Sequence, residues 1–176
     1  MSILRFLKLE QEKPAVSTGE TETVRKITAA LDEMDPDRAK YIAAFAFILS
    51  RVARADLTIT PEETRAMERI VAERGNMPED QAIIVVQIAK SQNILFGSTE
   101  NYLVTREFNK MATQGQKLEL LECLFAVSAA DDSVSTLEDN EVRQIADELR
   151  LEHREFIAAR SNFREYLAFL KKNPQP

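Results

Sequence analysis

An all-α fold of seven to eight helices is what the sequence predicts, and three observations carry it. The chain has only four Gly and six Pro in 176 residues, about half of ordinary usage. β-Sandwiches and glycine-rich phosphate cradles therefore lack the turn residues they need. Apolar residues recur at three-to-four spacing through most of the chain, and nothing alternates with period two for long. The glycines and prolines, finally, fall mostly between these periodic stretches.

The elements follow in order. Residues 1–19, with Pro14, Ser17 and Thr18, read as a flexible N-terminal segment, and residues 20–172 as one helical domain. Within the segment, Ile3, Leu4, Phe6, Leu7 and Leu9 beside Arg5 and Lys8 read first as a frayed terminus that packs weakly, with a short sticky helix that contacts a partner or a membrane surface as the alternative. Val24, Ile27, Leu31 and Met34 give a first firm helix over 20–34. Asp35-Pro36 caps and opens a second, reaching about Ala55, which is apolar nearly all round and so belongs at the centre of the bundle. Thr60-Pro61-Glu62-Glu63 starts a third that Gly75 ends, and Pro78 opens a fourth carrying Ile83, Ile84, Val86 and Ile88. Gly97-Ser98 precedes a helix over 99–112 with Tyr102, Leu103 and Phe108 on its apolar face. Gly115 separates it from a helix over 116–130, with Leu118, Leu121, Leu124, Phe125 and Val127 inward. A helix over 136–149 follows, and a last one runs from about Glu152 to Lys171 with Phe156, Ala159, Phe163, Tyr166, Leu167 and Leu170 inward.

Charge and cysteine usage narrow the function. Net charge is −6, whereas a phosphate-backbone binder needs a cationic surplus, so nucleic acid is not the expected partner. One cysteine, Cys123, forms no internal disulfide and fits a reducing, cytoplasmic setting. Met1 to Glu10 has no signal-peptide pattern, and the longest apolar run, Tyr41 to Leu49, is far below the roughly 20 residues of a membrane span. His153 lies among Glu152, Arg154 and Glu155 on a solvated helix start, and Cys123 between Leu121 and Leu124 reads as a small core residue.

The most informative feature is an internal repeat. The stretch Ala55-Asp56-Leu57-Thr58-Ile59-Thr60-Pro61-Glu62-Glu63 returns as Ala130-Asp131-Asp132-Ser133-Val134-Ser135-Thr136-Leu137-Glu138, with Asp and Glu seven residues apart in both. Leu49, Val52, Met67 and Ile70 match Leu124, Val127, Val142 and Ile145 at the same offset. Each unit is thus an apolar helix, an acidic loop and an amphipathic helix, and two units imply pseudo-twofold packing of duplicated helical hairpins. Thr60/Glu63 and Ser135/Glu138 stand in capping-box register, with Ile59 and Val134 placed as hydrophobic staples. Asp56 and Asp131 sit where a helix ends, where negative charge opposes the helix dipole. Either they accept loop amides in Asx-type turns, or Asp56, Glu63, Asp131 and Glu138 supply oxygen ligands for a hard divalent cation, Ca²⁺ or Mg²⁺. The spacing is not that of an EF-hand.

These residues resemble the TerB-like family, the helical domain named for a tellurite-resistance protein, whose hallmark is A-D-G-x-[IV]-[ST]-x-x-E at a junction of two helices. Ala55, Asp56, Ile59, Thr60 and Glu63 match in the first copy, and Ala130, Asp131, Val134, Ser135 and Glu138 in the second. The resemblance runs from about Asp35 to Leu170. The third motif position departs from it: Leu57 and Asp132 replace glycine, and aspartate tolerates a left-handed backbone better than leucine does. The resemblance implies an all-helical, non-enzymatic domain tied to bacterial stress responses, with metal sensing or membrane-linked complexes among its roles. The expectation is an accessory domain that binds a divalent cation, a protein partner or both through its acidic loops. The alternatives are an adapter in which the motifs only cap helices and, further off, a carboxylate-based hydrolase.

Overall fold

The second helix is the fold's axis, and its composition explains why. The computed structural model describes residues 20–53, 60–91 and 98–171. Among these residues α1 spans Glu20–Asp32, α2 Pro36–Val52, α3 Pro61–Arg74, α4 Glu79–Ser91 and α5 Ser98–Met111. After them come α6 over Gln114–Ser128, α7 over Thr136–Glu148, α8 over His153–Ser161 and the short α9 over Ala168–Lys171, with 3-10 turns at Ala129–Asp131 and Arg164–Tyr166. The fold is all-α, and no strand occurs among the described residues. In α2, 13 of 17 residues are buried, so all of its faces meet other helices. It packs against α4, α5, α6 and α7, while α1 lies on α4 and α2.

Two sets of contacts correspond between the two sequence units. The second helix of each hairpin lies on the first helix of the other, α3 on α6 and α7 on α2. The helix after each hairpin returns to that hairpin's first helix, α4 to α2 and α8 to α6. Leu49 and Leu124 are both fully buried, and Met67 and Val142 on the second helices are buried too. The aromatic core divides likewise. Tyr41, Phe45 and Phe108 cluster around α2 and α5 at centroid distances of 5.2 to 6.3 Å. Phe125 stacks on Phe163 at 5.7 Å and tilts against Phe156 at 5.8 Å around α6 and α8.

Capping chemistry sets most boundaries. Asp35 Oδ1 accepts the Asp37 and Arg38 amides at the head of α2, at 3.0 and 3.1 Å. Helices α3 and α7 end alike, in Asn76 and Arg150 with left-handed φ of 48° and 58°, followed by the buried Met77 and Leu151. In both, the residue after the turn bonds back into the helix: Met77 N–H to the Ala72 carbonyl (3.2 Å) and Leu151 N–H to the Ala146 carbonyl (3.0 Å). Gly75 is not the left-handed residue. Its φ is −80°, and it is glycine because a Cβ there would stand 2.5 Å from the Val71 carbonyl oxygen and 3.1 Å from the Phe45 ring.

Three expectations are corrected. The expected break at Gly115 is not one: α6 starts at Gln114, because Thr113 and Gln116 form a capping box (Thr113 N–H to Gln116 Oε1, 2.8 Å; Gln116 N–H to Thr113 Oγ1, 3.2 Å) that holds Gly115 in the first turn. The expected single helix from Glu152 to Lys171 stops at Ser161. The chain turns so that Phe163 and Leu167 both reach the core, and Leu167 takes an extended conformation. Tyr102 and Leu170, read as inward, are 49% and 45% exposed. The expectations on residues 1–19 and on Gly97 fall outside the described residues.

Candidate functional site

The second acidic loop follows directly from the way α6 ends. The helix tightens into the 3-10 turn Ala129–Asp131, and Asp132 then adopts a left-handed conformation, φ 64° and ψ 14°. This is the position at which the motif resembled above has glycine, and aspartate accommodates it. Asp131 Oδ1 accepts the Ser133 amide at 3.2 Å, an Asx-type turn. Ser135 then caps α7: the Glu138 amide donates to Ser135 Oγ (3.2 Å) and the Ser135 amide to Glu138 Oε2 (2.8 Å). Asp131 and Glu138 thus each spend one carboxylate oxygen on an amide of their own loop. Asp131 is exposed and Glu138 half-buried.

The first copy repeats the cap. The Thr60 amide donates to Glu63 Oε2 at 2.6 Å and the Glu63 amide to Thr60 Oγ1 at 3.2 Å. The hydrogen bond from the Thr60 amide, then that from its hydroxyl, holds the Glu63 carboxyl below its usual range. Asp56, with Leu57 and Ile59, lies outside the described residues, so of the four acids singled out in the sequence Glu63, Asp131 and Glu138 are placed. Among the described residues no three acidic, histidine or cysteine side chains converge on one point.

Val134 does more than staple a helix. It is fully buried and pairs as an isolated parallel bridge with Leu167: its amide donates to the Tyr166 carbonyl (2.7 Å), and the Ala168 amide donates to its carbonyl (2.9 Å). Beside it Asp139, 5% exposed, takes a two-pronged grip from Arg160, with Nε to Oδ1 at 2.6 Å and Nη2 to Oδ2 at 2.8 Å. The guanidinium also lies over the Phe169 ring, 5.0 Å from its centre.

A second ionic cluster, which reading of the sequence missed, lies deeper. Arg51, in the last turn of α2 and 3% exposed, donates to Glu141 Oε1 at 2.7 Å and to both Glu148 oxygens at 2.7 and 3.2 Å. The Thr105 hydroxyl on α5 and the Gln144 amide add bonds to Glu148 of 2.5 and 3.0 Å. Burial alone would raise the Glu148 pKa, but hydrogen bonds from Arg51 and Thr105, with the Arg51 charge and Gln144, outweigh it and hold the carboxyl low. The available signal was an arginine just after the apolar run Tyr41 to Leu49 of α2; its partners, some ninety residues on, gave none.

The remaining candidates fall where the sequence placed them. His153 is exposed and Cys123 fully buried. Burial pushes the Cys123 thiol up to about 12, so almost no thiolate exists at neutral pH. Cys123 is therefore expected to resist iodoacetamide in the native protein and to react on unfolding; rapid native labelling, followed by mass spectrometry, would contradict this burial.

Fold and described loop together define a helical bundle in which α3 and α7 each start at a capping box. The family model for tellurite resistance protein TerB matches residues 42–161, and the chain belongs to that family. No curated protein and no solved structure matches it significantly. Among the described residues no helix is long and apolar enough to cross a membrane.

Proposed function

We propose that this chain is a non-enzymatic accessory domain that works by binding, and that a divalent cation is its ligand at the second acidic loop. The observation that supports this reading is the geometry of Asp131 and Glu138. Each engages a loop amide through one oxygen, which orients the carboxylate and leaves its second oxygen without a partner among the described residues. Two oriented carboxylates suit a hard cation such as Ca²⁺ or Mg²⁺, with loop carbonyls and water completing the shell. The matching Asp56/Glu63 loop is read as a second copy of this device, produced by duplication of the hairpin within a domain spanning residues 20–172. Involvement in a bacterial stress response such as tellurite resistance, a cytoplasmic location, a protein partner and peripheral membrane association belong to the same proposal; the first rests on family membership, the others also on the single cysteine and the apolar residues between Ile3 and Leu9.

Calorimetric titration with Ca²⁺, Mg²⁺ and Zn²⁺ tests it. Wild type is expected to show saturable heat with Ca²⁺ or Mg²⁺ and, at a hundred times Kd, stabilisation of about 2.7 kcal/mol. Asp131→Asn, which keeps an acceptor for the Ser133 amide, is expected to lose both. Wild type without binding heat would overturn the cation reading. One observation favours the alternative, an adapter whose motifs only cap helices: Glu63 and Glu138 both complete capping boxes. On that reading Glu138→Ala costs about 0.5–2 kcal/mol and no cation alters the melting temperature.

A further inference from the structure

The second acidic loop is tied to the C-terminal segment at three places. Two are the backbone bonds of Val134 to Tyr166 and Ala168, at 2.7 and 2.9 Å. The third is the grip of Arg160 on Asp139, the residue after Glu138, at 2.6 and 2.8 Å. Phe169, two residues beyond Leu167 of the bridge, lies under the Arg160 guanidinium and joins the ties into one unit. The position in the first hairpin that corresponds to Asp139 is Thr64, whose hydroxyl accepts one bond from Lys90 at 2.8 Å. The first hairpin therefore has no buried carboxylate or arginine at this point.

We infer that residues 160–169 form a clasp that presets the second acidic loop, and that Arg160 is its positioning residue. By neutralising Asp139 inside the protein, Arg160 holds the first turn of α7 against α8, and the Val134 bridge fixes the middle of the loop. Asp131 and Glu138 are then oriented before any ligand arrives, so binding carries little ordering cost. The preset shape stands on these bonds alone; its use in holding a cation rests on the reading above.

The test separates the two. Arg160→Met would leave Asp139 buried and unpaired and risks unfolding, so the working variant is Arg160→Met with Asp139→Asn, compared with Arg160→Lys. Amide exchange followed by NMR is expected to quicken about tenfold at Ser133, Ser135 and Glu138 in the double variant. Exchange at the Glu63 amide, in the other capping box, should stay unchanged, and Arg160→Lys should restore part of the protection. Ca²⁺ affinity is expected to fall by a similar factor. Unchanged loop exchange, or equal acceleration in both capping boxes, would overturn the clasp. Loop exchange that quickens as expected while wild type binds no Ca²⁺ would uphold the clasp and reject the cation reading.

Discussion

Replacing Arg51 by methionine is expected to cost about 3–5 kcal/mol of stability, measured by urea unfolding, because two carboxylates lose a buried partner. The methionine fills the volume of the side-chain stem but leaves Glu141 and Glu148 facing a 3% exposed position without countercharge. Removing all three charges, as Arg51→Met with Glu141→Gln and Glu148→Gln, is expected to recover much of the loss, since the cost lies in stranded charge rather than in a missing attraction. A loss under about 1 kcal/mol in the single variant would mean that water reaches the cluster. The pH dependence has a definite sign. The folded pKa of Glu148 lies below the ordinary carboxyl value of 4.5, so its contribution is fully present above that value. It fades as pH falls through the lower, folded pKa. Wild type should therefore lose stability below about pH 4.5 more steeply than Glu148→Gln does.

Truncating Phe125 to alanine is expected to cost about 3–5 kcal/mol by the same measurement. Its side chain is fully buried and is sandwiched between Phe156 and Phe163 at 5.8 and 5.7 Å. The cavity would open between α6, α8 and the turn that follows α8, the turn that leads into the Val134 bridge. Phe125→Leu keeps most of the volume and should cost about half as much. The double variant Phe125→Ala/Phe163→Ala should lose less than the sum of the single effects, because the two rings share one contact. Strict additivity would contradict the stacked geometry.

Much of the candidate site could be read from residue order because its bonds are local. Thr60 with Glu63, and Ser135 with Glu138, sit three positions apart, and a capping box needs nothing beyond that spacing. The turn at Asp131 and the left-handed backbone at Asp132 are also local matters, decided by side chains that reach amides two residues away. Thr113-Gln114-Gly115-Gln116 carries the same signal, but the glycine obscured it. A box satisfies two otherwise orphaned amides, which outweighs the roughly 1 kcal/mol that glycine costs in a helix.

The ionic clusters were not readable in this way. Arg51 with Glu148, and Asp139 with Arg160, are 97 and 21 residues apart, and any of the many acids in the chain could have served as partner. Nor did periodicity reveal the break after Ser161. Phe156, Ala159, Phe163, Tyr166 and Leu167 keep helical spacing, yet the chain turns because Phe163 finds its stacking partner on α6 and Leu167 its bridge to Val134. Packing against a distant element overrode a weak local preference.

The order of residues alone determined that this protein is all-helical, where most of its helices begin and end, and that an acidic, capped loop motif occurs twice. Those properties depend on side chains within a turn of one another, and few glycines and prolines leave little scope for anything else. Tertiary structure decided which acids are buried with arginines, which loop is tied to the C-terminal segment, and why Asp139 is inside while Asp131 stays in solvent. These outcomes depend on the crossing of helices from opposite halves of the chain. A charge is tolerated in the interior only where such a crossing brings its counterion within hydrogen-bonding distance.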